Sequence, residues 1–204
     1  MGDEGAAAEQ VVITREGGIA RVTLNNPRRK NAITLDMAAR IEDFCDQVEV
    51  DETIGAVLLD GAGEYFCSGA DTRVLAASSA DPASPEAVAS VSAVYRAFTR
   101  IGALPVPSVT LLQGGAVGAG MNLALATDLL LVTPDAVLDS GFLARGIHPG
   151  GGHLTLLGRR VGYQQAAAMA LLGRALTGTE AVERGAQMWS MARKGGQGWK
   201  GAAR

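Results

Sequence analysis

Apolar positions along the chain change period several times, and each change marks an element. Ala20, Val22 and Leu24 alternate with Arg21 and Thr23, the two-residue period of a half-buried strand. Val11–Arg15 precedes them across Glu16-Gly17-Gly18, so the pattern predicts a β-hairpin over Val11–Arg15 and Ile19–Leu24. Met37, Ile41, Phe44 and Val48 then recur at three- and four-residue spacing. That period predicts a helix over Leu35–Val50 with one buried face and Thr34 as its N-cap. Ile54–Leu59 is apolar without alternation, the signature of a strand covered on both faces. A second amphipathic helix is predicted over Glu86–Ile101, where Val88, Val91, Val94, Tyr95 and Phe98 share a face. Pro105 and Pro107 end it before another buried strand, Val109–Leu112.

The remaining pattern continues the alternation of strand and helix. Leu129–Val132 and Ala136–Leu138 read as strands, Leu154–Val161 and Gln164–Leu172 as helices, and Thr179–Gly185 as a short helix. Ala76–Pro85, rich in Ala, Ser, Asp and Pro, reads as a mobile surface loop. Helices between continuous apolar strands give an α/β fold. Residues 1–10 read as a flexible tail and 11–186 as one domain. Over 187–204 the apolar period disappears and Arg193, Lys194, Lys200 and Arg204 interleave with Gly, which predicts a disordered tail.

One stretch departs from ordinary patterning. Gln113–Asp128 joins a glycine-rich turn to a segment, Met121–Ala126, whose only polar side chain is Asn122. A helix apolar on all sides is buried. Its first turn carries unpaired N–H groups and a partial positive charge. In a glycine turn these are shielded by little side-chain bulk, which makes a preformed site for an anion or a developing oxyanion. A tight turn packed for density alone gives the same pattern.

Composition narrows the classes. The 204 residues carry a net charge of −3, with 4% aromatic residues, and no basic run suits nucleic acid. No apolar run is long enough to cross a membrane. Two cysteines, Cys45 and Cys67, do not make a disulfide framework, and a reducing cytoplasmic setting is expected. His148 and His153 have no Cys or carboxylate at ligand spacing, so no metal is expected. Ser68 lacks the frame of a hydrolase nucleophile elbow, and Cys67 has no nearby His. The three cations Arg28-Arg29-Lys30 after Pro27 read either as a solvated loop or as a phosphate patch.

Three separated segments then agree in order. Asn25-Asn26-Pro27-Arg28-Arg29-Lys30-Asn31-Ala32, Phe66-Cys67-Ser68-Gly69-Ala70-Asp71 and Gly114-Gly115-Ala116-Val117-Gly118-Ala119-Gly120 resemble the successive motifs of the crotonase (enoyl-CoA hydratase/isomerase) superfamily. Gly146–Gly152 and Leu176-Thr177-Gly178 fit the same order. The resemblance implies a spiral of ββα turns that binds an acyl-CoA thioester, with coenzyme A as part of the substrate and no separate cofactor. It implies a thioester oxygen held by two backbone N–H groups, by position those of Ser68 and Ala119. Arg28, Arg29 and Lys30 fall where such proteins meet the CoA. Phe66, Ser68 and Ala70 line its path, and Asp71 and Gly118 belong to the same segments.

The sequence departs from the family's hydratases at two places. Those enzymes hold a water between two glutamates. The first place is Asn122 here and the second, counted back from His148-Pro149-Gly150, is Phe142. Neither side chain transfers a proton at neutral pH. Asp139 is the nearest carboxylate that could substitute, against a simpler reading as a loop cap, and His148 is the second candidate. Family members also continue into C-terminal helices that cover the acyl pocket and build trimers or hexamers, whereas 187–204 reads as a truncated or altered ending. Two functions follow as expectations: an enzyme acting on acyl-CoA, or an acyl-CoA-binding protein or inactive member without the chemistry.

Overall fold

The computed structural model describes residues 9–79, 81–183 and 188–190. The hairpin forms as β1 (Val11–Glu16) and β2 (Ile19–Leu24), antiparallel in register from Val11 opposite Leu24 to Glu16 opposite Ile19. Ala20, Val22 and Leu24 are buried, as their alternation requires. Helix α1 (Leu35–Val50) buries Met37, Ala38, Ile41, Phe44, Cys45 and Val48, and Thr34 Oγ1 accepts the N–H of Met37 at 3.1 Å. That capping bond satisfies one of the donors a helix start leaves open.

Strand β3 (Ala56–Gly61) joins β2 in parallel, and helices α2 (Thr72–Ser79) and α3 (Pro85–Ile101) follow. Next come β4 (Ser108–Leu112), β5 (Gly115–Val117) and α4 (Ala119–Ala126), then β6 (Leu129–Val132) and β7 (Val137–Asp139). Helices α5 (His153–Val161) and α6 (Tyr163–Leu172), strand β8 (Leu176–Thr177), helix α7 (Gly178–Glu183) and strand β9 (Met188–Ser190) complete the described chain. Six strands form one sheet in the order β1-β2-β3-β4-β6-β9, and β5-β7-β8 form a second. The consecutive pairs β4/β5 and β6/β7 each place one strand in either sheet before a helix returns the chain. That is the ββα spiral expected above.

Three readings of the sequence change. Val117 and its neighbours, read as part of a glycine turn, form β5, whose three residues pair with β7. Such a strand is too short to show a period. Ala76–Ser79, read as loop, continues α2. Asp71 starts that helix, its Oδ1 accepting the N–H of Arg73 at 2.8 Å, and Ala and Ser do not stop a helix once it is nucleated. Met188–Ser190, read as part of a disordered tail, pairs in parallel with β6. Edge pairing uses backbone groups and needs no apolar period. The rest of 187–204, like residues 1–8, lies outside the described residues. Among those described, no helix is long and apolar enough to cross a membrane.

Glycines let the two sheets close on each other. A Cβ at Gly120, in the first turn of α4, would stand 2.7 Å from both Cβ and Sγ of Cys67 and press on that residue's carbonyl. A Cβ at Gly69, where φ is +108°, would stand 3.1 Å from the carbonyl oxygen of Val117. In Gly120→Ala the helix gains ~1 kcal/mol of propensity, but overpacking against fixed backbone costs ~2–4 kcal/mol. The expected outcome is a net fall in melting temperature of roughly 5–10 °C, measured by thermal unfolding.

Candidate active site

Two loops meet where α4 begins. Cys67 N–H donates to Gly115 O and Val117 N–H donates to Cys67 O, both at 3.0 Å, so the Cys67 segment runs alongside β5. On its other side Ile33 N–H donates to Gly69 O at 2.8 Å and Asp71 N–H to Ile33 O at 2.9 Å. The Ser68–Asp71 turn is thereby clamped from both flanks. Asn31 anchors the first flank. It is fully buried, its Nδ2 donates to Ala62 O and Tyr65 O, and its Oδ1 accepts the N–H of Asn26. Its φ of +54° and that of Lys30, +51°, are left-handed, a conformation Asn tolerates better than most residues.

The clamp decides which amides are available. Ser68 N–H, read from the sequence as an oxyanion donor, is committed to Lys30 O at 2.9 Å. The N–H two residues on, at Ala70, has no acceptor among the described residues, because its neighbours Gly69 and Asp71 take up the pairing with Ile33. Gly118 N–H is likewise committed, to Asp139 O at 3.0 Å. Ala119 N–H, at the first position of α4, has no acceptor among the described residues, and the start of a helix offers it no intrahelical one. Ala70 and Ala119 both line one cavity of about 360 Å³. A Cβ built on Gly69 would lie 3.9 Å from Ala119 N, so the two segments are in contact.

The cavity wall is mostly apolar: Val74, Leu75, Val91, Val94, Val117 and Phe142, with Ser68, Gly118, Tyr95, Arg145, Ile147 and His148. Ser68, Ala70, Gly118, Ala119 and Phe142 of the sequence-based set are therefore brought together. The others are placed elsewhere. Phe66 is wholly buried in the core behind the turn. Asp71 is buried and ion-paired to Arg73 at 3.1 Å and Arg29 at 3.3 Å. The hydrogen bond from Arg73 is the main reason its carboxyl is held below the usual range, with Arg29 adding to it. Lys30 stands over the Tyr65 ring at 4.5 Å. Arg28 is exposed and has no ion pair among the described residues. Asp139 caps its own loop, Oδ1 accepting the N–H of Gly141 at 2.9 Å, and does not line the cavity. Burial pushes the Cys67 thiol up to about 12, which leaves it a packing residue. Among the described residues, no group of three or more His, Cys, Asp or Glu side chains could hold a metal.

Asn122 is also off the wall. It sits, itself buried, in a chain of neutral hydrogen bonds. Its Nδ2 donates to Gly150 O at 3.1 Å, and its Oδ1 stands 2.6 Å from His153 Nδ1. His153 Nε2 stands 2.8 Å from Ser140 Oγ. With Asn122 Oδ1 as the acceptor, Nδ1 carries the proton and Ser140 O–H donates to Nε2. Phe142 packs its ring edge-on against the imidazole at 4.9 Å between centroids. The chain ties α4 to the 140–153 loop, which carries Phe142 and Gly150. Arg145 Nη1 braces that loop by donating to Gly141 O at 2.8 Å. Sequence reading missed Asn31, Tyr95 and His153; only the buried polar character of a lone Asn in an apolar helix signalled this network.

Burial lowers the pKa of His153 from 6.5 to about 4, since no charged group faces the ring to compensate. An unfolded chain takes up a proton near pH 6.5, whereas the folded chain resists until near pH 4. Stability linked to His153 is therefore present above pH 6.5 and lost as pH falls toward 4. By pH 5 the loss is about 2 kcal/mol. Urea unfolding of the protein and of a His153→Gln variant checks this: their stability difference narrows by that amount between pH 7 and pH 5.

Known proteins resemble this chain in sequence and in fold. The family model described as Enoyl-CoA hydratase/isomerase matches residues 14–190. A Mycobacterium tuberculosis protein named as a probable enoyl-CoA hydratase is 37% identical over 180 residues, 88% of this chain and 69% of that protein. The 1,2-epoxyphenylacetyl-CoA isomerase of Escherichia coli is 36% identical over 177 residues, 86% of this chain and 67% of its own. Among solved structures, Pseudomonas aeruginosa AtuE superposes with a TM-score of 0.84 at 28% identity, over 91% of this chain and 71% of that one. An enoyl-CoA hydratase from Bacillus anthracis gives 0.81 at 26% identity, over 89% and 70%. The chain has the crotonase fold and belongs to the enoyl-CoA hydratase/isomerase family.

Proposed function

We propose that the cavity binds the acyl end of an acyl-CoA thioester and that the N–H groups of Ala70 and Ala119 hold the thioester oxygen. One observation carries the reading: two amides without acceptors, from two separate segments, belong to residues lining one apolar cavity. When a proton leaves the carbon next to the thioester, charge develops on that oxygen. Preorganised donors in a site poor in water stabilise this charge by ~3–4 kcal/mol each. The coenzyme A is carried by the substrate, and Arg28, exposed and free of a carboxylate partner, is the cation suited to its phosphates.

The polar side chains speak to the reaction type. Asn122 and Phe142 occupy the two positions where water-adding relatives were expected to carry carboxylates, and Asp139 is engaged as a loop cap. Enolate stabilisation suits this site, whereas the proton transfers of hydration and of isomerisation alike call for a base that these side chains do not supply. A second reading, binding without turnover, is favoured because no carboxylate among the described residues lines the cavity.

Calorimetry and turnover assays with a panel of enoyl-CoA thioesters separate these readings, and Ala119→Pro tests the donor. Proline is tolerated at the first position of a helix, costs no intrahelical hydrogen bond there and replaces the N–H by a ring carbon. The expected result is a folded variant with turnover lowered roughly 10²–10³-fold. Unchanged turnover would remove Ala119 from the oxyanion site, and binding with no turnover by the parent protein leaves the binding role. A further substitution, Arg28→Glu, is expected to weaken a CoA ester several-fold at low salt. It should leave the matching acyl-pantetheine, which lacks the nucleotide phosphates, unchanged.

A further inference from the structure

The direction of Ala119 N–H is set by the peptide unit it belongs to. That unit is planar, so its N–H and the carbonyl of Gly118 point opposite ways, and whatever fixes Gly118 O fixes the donor. Gly118 has φ +53° and ψ −118°, and a glycine's backbone resists rotation less than any other residue's. Helix α4 adds little stiffness, since it has eight residues and helix ends fray. The plane is therefore held from outside.

A closed circuit of contacts holds it. Gly118 O accepts the N–H of Asn122 at 3.0 Å, and Gly118 N–H donates to Asp139 O at 3.0 Å. Asp139 is followed by Ser140, whose Oγ meets His153 Nε2 at 2.8 Å, and His153 Nδ1 meets Asn122 Oδ1 at 2.6 Å. The circuit runs from Gly118 through Asp139 and Ser140 to His153, and back through Asn122 to Gly118. His153 is the member that spans its two arms. Burial keeps the imidazole neutral, with a pKa of about 4, so one nitrogen donates while the other accepts. Asn122, Ser140 and His153 are each no more than 1% exposed, so solvent does not compete for these bonds.

Phe142 adds a second contact. Its ring stands edge-on to the imidazole at 4.9 Å between centroids, and a Cβ built on Gly118 would lie 3.8 Å from Phe142 Cζ. The phenyl ring is thus backed by His153 and borders Gly118.

We propose that His153 is a positioning residue: by spanning Asn122 and Ser140 it fixes the Gly118–Ala119 peptide plane and so aims Ala119 N–H at the thioester oxygen. The inference rests on the acyl-CoA reading above. His153 does not line the cavity; it acts through Asn122 and Gly118.

A bound thioester whose carbonyl is conjugated to a chromophore reports the donor directly. Hydrogen bonds to its oxygen polarise the carbonyl and move the absorption to longer wavelength. Sorbyl-CoA, a slim dienoyl thioester, is the probe, read as bound ligand at saturation. The parent is expected to shift the band to longer wavelength. In His153→Phe, which keeps a ring and removes both bonds, the shift is expected to fall to about half or less. His153→Gln, whose amide supplies a donor and an acceptor, is expected to restore most of it. Ser140→Ala breaks one bond only, is expected to give an intermediate shift, and decides the case if His153→Phe does not fold. Phe44→Leu, a core change in α1 that does not line the cavity, lowers stability and is expected to keep the parent's shift. A role for His153 in stability alone predicts the same of His153→Phe. A parent-sized shift in His153→Phe, or in Ser140→Ala where that variant decides, overturns the proposal and leaves the acyl-CoA reading standing. Binding by the parent without a shift overturns the oxyanion reading itself, and no binding removes the acyl-CoA reading; the proposal falls with either.

Discussion

The site depends on one short pairing: Cys67 against β5, made by two backbone hydrogen bonds of 3.0 Å between segments far apart in the chain. Neither segment has enough regular structure to hold its amides in place alone. Pairing fixes the Ser68–Asp71 turn against the start of α4, and the second clamp through Ile33 settles which N–H groups point away from the protein's own carbonyls. Close approach is possible because positions 69 and 120 have no Cβ. The glycines weaken α4 and the turn intrinsically. Tertiary packing offsets that loss, as the complete burial of Met121–Leu125 indicates.

Around this pairing the protein spends its buried polar groups on rigidity. Asn31 ties three backbone groups together behind the turn, and the Gly150–Asn122–His153–Ser140 chain ties α4 to the loop opposite. Every member of that chain is neutral and each has its partner. Such a network is worth more than its separate bonds, and losing one member would leave the rest unsatisfied. A carboxylate at position 122 would confront a ring with no compensating cation in its surroundings. The neutral amide and the neutral imidazole therefore fit each other, and Asn122 joins α4 to the loop opposite.

Much of the fold was legible because periodicity reports burial. Met37, Ile41, Phe44 and Val48 marked the inner face of α1, and Ala20, Val22 and Leu24 that of β2. The helix start at Ala119 was legible from glycine and from an apolar run. What escaped has a common cause. Ser68 and Ala70 are equally small and equally close to Gly69, and only a bond to Lys30, thirty-eight positions earlier, commits one amide and frees the other. The edge pairing of Met188–Ser190 and the three-residue β5 are likewise made by backbone groups, which carry no side-chain signature. Tyr95 showed as one more apolar position on α3, since a phenol and a phenyl count alike toward helical period. Its hydroxyl is set against Gly150, fifty-five positions later in the chain.

The electrostatics of the wall set what the cavity favours. Its lining holds two free amide dipoles, a phenol and, toward the rim, Arg145 and His148, with no carboxylate among the described residues. Negative charge placed on a ligand oxygen is therefore met by donors and by no competing anion, and the apolar residues lower the local dielectric that would otherwise screen it. The same arrangement supplies no strong base to remove a proton. Stabilising an enolate and generating one are separate tasks, and on the proposed reading this wall serves the first. Ligands that arrive already acidic at the α-carbon make the smallest demand on the missing base. On the proposed reading such ligands gain the most from Ala70 and Ala119, because the donors are in place before the charge forms and need no reorganisation when it does.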